Sequence, residues 1–206
     1  MDICGLTRSV LLIMKIKQPR LKDLDQICRL ESETFPATEA ASRESLERRL
    51  LAHRHTFWVI KKDGGIVAGI NGITTNEKNL SDHMYESEDF YDEKGEWLMI
   101  FGVSTLPDYR HRGYASKIMR EVMQEVVRSK MAGIVLTCKP HMIDFYKQFG
   151  FIDEGVCDSA HGGEKWHQMR LVSGDIERNY RSEIIDFVIT VGVAAVLAFV
   201  LGHFIV

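Results

Sequence analysis

Apolar residues return along this chain in two rhythms. Leu21, Leu24, Ile27 and Leu30 recur at helical spacing and predict a helix that breaks at Phe35-Pro36. Residues 40–54 predict a second helix, with Ser42 as its N-cap and Leu46 and Leu50 on one face. Ile118, Val122 and Val126, with Met119, Met123 and Val127 beside them, predict a third. A short fourth helix is expected over 141–148. Shorter apolar runs predict strands at 13–17, 57–62, 66–74, 97–103, 134–138, 151–156 and 166–171, the second and third joined by an Asp63-Gly64-Gly65 hairpin turn. Between the third and fourth strands, residues 76–95 are polar and carry Glu77, Asp82, Glu86, Glu88, Asp89, Asp92 and Glu93. That is long for a connection, so a functional or partly helical loop is expected.

The ends differ from the middle. Residues 1–12 read as an N-terminal extension, since the Val10-Leu-Leu-Ile13 run is too short for a signal peptide, and Met14 is itself a possible start. Residues 13–172 form one domain and 173–183 a polar linker. From 187 to 206 no acidic or basic residue occurs except His203, over roughly the 20 residues that a bilayer core requires. With Arg178 and Arg181 just before it, the stretch 184–206 is expected to be a single membrane-spanning helix, with the domain on the cytoplasmic side. A buried terminal helix or an oligomer-forming one is the alternative.

A chain of 206 residues holds one domain of ordinary size. Its net charge of −3 gives no reason to expect nucleic acid as a partner. Cys4, Cys28, Cys138 and Cys157 are scattered without metal-ligand spacing, and the eight histidines form no metal set, so no metal is expected. The oligomeric state is not legible from these properties.

The most informative segment joins the fourth strand to the long helix: Arg110-His-Arg-Gly-Tyr-Ala115, then Ser116. A helix start has unpaired N–H groups and the positive end of the helix dipole, and so attracts phosphate. Gly113 and Ala115 keep bulk away from the backbone there, while Arg110 and Arg112 add charge. The Lys-Ser/Thr ending of a nucleotide P-loop and the G-x-G-x-x-G of a dinucleotide site are both missing.

This segment resembles the acyl-CoA-binding motif of the GNAT N-acetyltransferases, R/Q-x-x-G-x-G/A after the fourth strand, which Arg110, Gly113 and Ala115 match. The order strand, two helices, three strands, helix, strand, helix, two strands resembles that family from about residue 13 to 172. It implies an α/β (α+β) fold with a mixed central sheet of about seven strands flanked by helices, here followed by a C-terminal hydrophobic helix. The stretches Leu136-Thr-Cys-Lys139, Phe145-Tyr-Lys-Gln-Phe-Gly-Phe151, Glu31-Ser-Glu-Thr-Phe35 and Glu39-Ala-Ala-Ser42 are similar to the arylalkylamine (serotonin-type) branch. His161-Gly-Gly163 with Trp166 and Met169 is similar to its microbial members.

What the resemblance implies is acetyl-CoA as co-substrate and a primary amine as acceptor, small and arylalkylamine- or polyamine-like, in a ternary complex. A protein N-terminus or lysine is the alternative acceptor. A membrane-tethered acyl-CoA-binding module without turnover is the alternative of another class. The coenzyme is expected along Val103, Ser104 and Thr105, with an N–H there, that of Val103, serving the oxyanion. Its pyrophosphate is expected on Arg110, His111, Arg112, Gly113, Tyr114, Ala115 and Ser116. Tyr146 is the implied general acid beside the CoA sulfur, a phenol of pKa ~10 being protonated at neutral pH. Two strand histidines serve as base in the vertebrate enzyme, but the matching positions here are Met99 and Phe101, which cannot take a proton. Insect members use a Glu whose position is Glu39 here, with Glu33 the second candidate. The acidic loop is a further attraction for a cationic acceptor, or simply a solvated surface.

Overall fold

The computed structural model describes residues 15–182, 185, 189 and 190. The extension at 1–12 and nearly all of the membrane helix expected at 184–206 lie outside the described residues. Among the described residues no helix is long and apolar enough to cross a membrane.

Seven strands form one sheet in the order β1-β2-β3-β4-β5-β7-β6. They are β1 (Ile16–Lys17), β2 (Phe57–Lys62), β3 (Gly65–Thr75), β4 (Trp97–Thr105), β5 (Gly133–Cys138), β6 (Ile152–Val156) and β7 (His167–Val172). Every pairing is antiparallel except β4 with β5. The helices are α1 (Leu24–Thr34), α2 (Arg43–Ala52), α3 (Tyr114–Arg128) and α4 (Ile143–Lys147). Ser42 caps α2 by accepting from the Ser45 N–H at 3.2 Å.

Strand alternation sorts the core into two faces. Leu98, Ile100, Ile134 and Leu136 share the main cluster with Ile118, Met119, Val122 and Val126 of α3. Met99 and Val135 point the other way, into a cluster with Ile73, Leu80 and Met84. Leu80 and Met84 belong to the acidic 76–95 segment. That loop packs onto the sheet through these two residues, with short 3-10 turns at Asp82–Tyr85 and Glu88–Phe90, while Glu77, Glu86, Asp89 and Glu93 stay exposed on its outer side. Charge is easily read in sequence, whereas two apolar residues spaced four apart are a weak signal for packing.

A second difference lies after β7. Residues 173–182, expected as a polar linker, are helical. Ile176 is completely buried, and the Tyr180 hydroxyl donates to the Arg120 carbonyl on α3 at 3.1 Å. Ile176 and Tyr180, both packed against the main core, seat a segment that is otherwise mostly polar.

The feature that positions the site is a parting of strands. The β4–β5 pairing ends at Ile100 opposite Leu136, although β4 continues to Thr105 and β5 to Cys138. The cause lies on the other edge of β4. Against β3, Asn71 faces Gly102 but Gly72 faces Ile100, so Phe101 is an extra residue. A bulge of this kind bends its strand and increases twist, and here it turns β4 away from β5.

Candidate active site

The parted edge of β4 leaves main-chain groups free. The Leu106 N–H donates to the Val67 carbonyl of β3 at 3.0 Å. N–H groups alternate along a strand, so that of Ser104 also turns to β3, while those of Val103 and Thr105 turn into the gap. Of the three residues expected along the coenzyme, Ser104 thus presents its backbone to the sheet. The Thr105 carbonyl accepts from Arg110 Nε at 3.3 Å, which fixes that arginine beside the gap.

Beyond β4 the chain makes a 3-10 turn, Pro107–Tyr109, and enters α3 through two left-handed residues, His111 (φ 59°) and Gly113 (φ 77°). None of the backbone N–H groups of residues 111–116 has a partner among the described residues. A run of unpartnered donors at a helix N-terminus, entered through left-handed residues, suits an anion. A Cβ on Gly113 would meet nothing within 4 Å, so the backbone there faces open space. Arg110, His111 and Arg112 are exposed, and Arg112 stacks on Tyr109 with 5.6 Å from its guanidinium carbon to the ring centroid. Tyr114 is turned into the core, so what it offers a ligand is its N–H.

Tyr146 stands on α4, packed edge-on against Phe145 and Phe151. Its hydroxyl has no hydrogen-bond partner among the described residues. Burial pushes its pKa well above that of an ordinary phenol, and the neighbouring Cys138 adds to the rise. The Cys138 thiol is itself pushed up to about 12 by burial, with Asp153 and Cys157 contributing. Such a thiol is an inert core residue.

Across the gap three loops meet. Tyr85, from the 76–95 loop, lies against the Phe101 ring (centroids 4.9 Å) and stacks on His161 (5.0 Å). Its hydroxyl is 3.4 Å from Thr137 Oγ1 on β5, and burial raises its pKa to about 12. The imidazole of His161 touches the Glu39 carbonyl at 3.0 Å, so the β6–β7 loop closes on the α1–α2 loop. Gly162 makes this closure possible, since a Cβ there would come within 2.5 Å of Glu39 Cγ. Glu39 Oε1 holds Lys139 Nζ at 2.6 Å, and Trp166 donates its indole N–H to the His161 carbonyl at 2.8 Å. Asp82 ties the acidic loop in by accepting from Ser159 Oγ at 2.6 Å and the Ala160 N–H at 2.9 Å.

The expected carboxylates fare differently. Glu39 is buried and lies in this roof. Glu33 faces outward on α1, paired with Arg29 at 2.7 Å, away from the site. Glu31, one turn of α1 before Phe35, is buried and was not singled out by sequence. Its Oε1 accepts the Ala41 N–H at 3.0 Å. Burial raises its pKa, opposed by that hydrogen bond and by the charges of Arg49 and His161. Arg49 on α2 is likewise buried, donating to the Tyr85 carbonyl at 2.8 Å with its guanidinium carbon 4.8 Å from the Phe101 centroid. Both residues carried a sequence signal. Glu31 continues the apolar face of Leu24 and Ile27, and Arg49 follows Leu46 by three on the buried face of α2. A charge on an apolar helix face indicates a site.

A splayed parallel strand pair, a left-handed turn into a helix and, among the described residues, unpartnered N–H groups at the head of that helix form a specific combination. The model of the Acetyltransferase (GNAT) family matches residues 24–151. The chain belongs to the GNAT acetyltransferase family. Solved structures of the same fold include the loading GNATL domain of CurA from Lyngbya majuscula (13% identity, TM-score 0.69, covering 78% of this chain and 98% of that one). The GphF GNAT-like decarboxylase in complex with isobutyryl-CoA is similar at 18% identity and TM-score 0.65, over 77% and 99% of the two chains. The ribosomal-protein-S18-alanine N-acetyltransferase from Escherichia coli is similar at 14% identity and TM-score 0.59, over 77% and 92%. Likeness at these identities is a likeness of fold. No curated protein matches the chain by sequence.

Proposed function

We propose that this acetyltransferase moves the acetyl group of acetyl-CoA directly onto the primary amine of a small acceptor, arylalkylamine- or polyamine-like, in a ternary complex. The observation that carries the small acceptor is the roof. His161 stacked on Tyr85 and bonded to the Glu39 carbonyl closes the acceptor side with aromatic surface and buried carboxylates. Such a cover favours a small amine over a polypeptide, which needs an open groove.

On this reading the coenzyme diphosphate sits on the N–H groups of residues 111–116, with Arg110 and Arg112 beside it. The pantetheine arm pairs with Val103 and Thr105 in the gap, and the Val103 N–H faces the thioester oxygen. Burial keeps Tyr146 protonated. Full proton donation from so weak an acid to a thiolate, with pKa ~8.5, is uphill. Its role is to donate a hydrogen bond to the departing sulfur and pass on the proton that the nitrogen releases. A carboxylate must first neutralise the ammonium, and the site offers Glu39 and Glu31.

A thiol-release assay over phenylethylamines, indolylethylamines, polyamines and peptides with free N-termini or lysines tests the reading. Turnover of the small amines is expected. Turnover of the peptides alone would make the chain a protein acetyltransferase, and acetyl-CoA binding without turnover would make it a binding module. Residues 187–206 are proposed as a membrane anchor with the domain on the cytoplasmic side, supported by their uncharged sequence. Carbonate extraction should release a chain ending at residue 182 and retain the whole one. Release of both would refute the anchor.

A further inference from the structure

Two buried carboxylates stand at the α1–α2 loop beside the roof, and their surroundings assign them different work. Glu39 has its oxygen on the Lys139 ammonium at 2.6 Å, its backbone carbonyl on His161 and its side-chain carbon against Gly162. Each contact joins the α1–α2 loop to the residue just after β5 or to the β6–β7 loop. These contacts commit the Glu39 side chain to holding the roof together. Glu31 has no such cation: among the described residues it makes no ion pair, and its one hydrogen bond comes from the Ala41 N–H to Oε1. Among the described residues its Oε2 has no partner. It stands one turn before Phe35, whose ring would lie 3.6 Å from a Cβ on Gly102, at the β4 bulge.

We propose that Glu31 accepts the proton of the acceptor ammonium, and that Glu39 with Lys139 is the clasp of the roof. This rests on the amine acetyltransferase reading above. The ammonium gives one proton to Glu31 Oε2 and becomes a neutral amine. Its nitrogen attacks the thioester carbon, the carbon–sulfur bond breaks, and the nitrogen's second proton reaches the sulfur through Tyr146. The products are the N-acetyl amine, free CoA thiol and a protonated Glu31 that releases its proton to water. The groups facing Glu31 fit the role. Burial favours its protonated form, and this is opposed by the Ala41 N–H, by Arg49 on α2 and by His161 on the β6–β7 loop.

The test compares Glu31→Gln with Glu39→Gln in the whole chain, after acetyl-CoA affinity has been checked by calorimetry. Glu31→Gln should leave that affinity unchanged and lower kcat by ~10²-fold or more. Its rate should climb with pH along the ionisation of the acceptor itself, and an acceptor of low basicity, already neutral at pH 7, should restore most of the loss. A structural role would not produce that rescue. Glu39→Gln should raise the acceptor KM and retain the wild-type acidic limb of kcat/KM. A wild-type profile in Glu31→Gln, or loss of the limb in Glu39→Gln, would overturn the assignment. If Glu31→Gln does not fold, the Glu39→Gln profile decides alone. Should the wild-type chain bind acetyl-CoA yet acetylate no amine, the functional reading fails and the assignment with it. That result differs from a Glu31 variant that keeps full activity.

Discussion

The two sides of the β4–β5 gap are made of different materials. The side proposed for the coenzyme presents main chain: a bulged strand edge and the N–H groups of residues 111–116, unpartnered among the described residues, at the head of a helix packed into the main core. The acceptor side presents side chains from three loops, held by an ion pair, a stack and single hydrogen bonds. Backbone geometry depends on the fold and on a few conformationally demanding positions. A side-chain pocket depends on every residue that lines it. On the function proposed above, one half would tolerate substitution and fix the donor, while the other would change readily and select the acceptor.

The contrast is sharpest at Gly113. A side chain there is strained at φ 77°, by ~1–2 kcal/mol, and would stand in the open space proposed above for the phosphates. Gly113→Glu adds a negative charge as well, and should lower acetyl-CoA affinity at least ~100-fold by calorimetry with the circular dichroism unchanged. Unchanged affinity would show that the helix head is not the coenzyme site. Tyr146→Phe removes a single oxygen and should lower kcat by ~10²-fold, with the acetyl-CoA KM altered little. An equal change in both would place Tyr146 in binding rather than chemistry.

On the acceptor side Lys139→Met leaves the Glu39 carboxyl, only 4% exposed, without its cation. Stability should fall by ~1–3 kcal/mol in urea titration, and the acceptor KM should rise while acetyl-CoA affinity holds. A parallel loss of acetyl-CoA affinity would mean that the two halves are coupled. The smallest effect concerns Glu31 and stability. Burial raises its folded pKa above the unfolded ~4.3, so the folded chain holds this proton more tightly. The associated stability is full below the unfolded value and is lost as pH rises through the folded one. Glu31→Gln mimics the protonated form and should raise the melting temperature at pH 7 but not near pH 3.

The contrast also governs how much was legible in sequence. Strand order, the long helix and the Arg110–Ser116 turn follow from local periodicity and from a glycine where the backbone must be left-handed. These signals lie within a few residues of one another. The roof is assembled by contacts between residues far apart in the chain, such as Lys139 with Glu39 and His161 with Tyr85, and local pattern carries no trace of them. Tyr85 lay within a run of acidic residues and His161 within a glycine turn. Glu31 was visible as a carboxylate on an apolar helix face, but it is two residues from Glu33, and a one-dimensional reading does not say which of the two faces inward.

The N–H groups at the head of α3 have a metabolic corollary under the function proposed above. They recognise a diphosphate, which acetyl-CoA and free CoA share, and nothing at the helix head senses whether the distant sulfur carries an acyl group. Spent coenzyme therefore competes with fresh coenzyme for the same cradle, nearly as an equal. The turnover of this protein in a cell would follow the ratio of acetyl-CoA to CoA rather than the concentration of either.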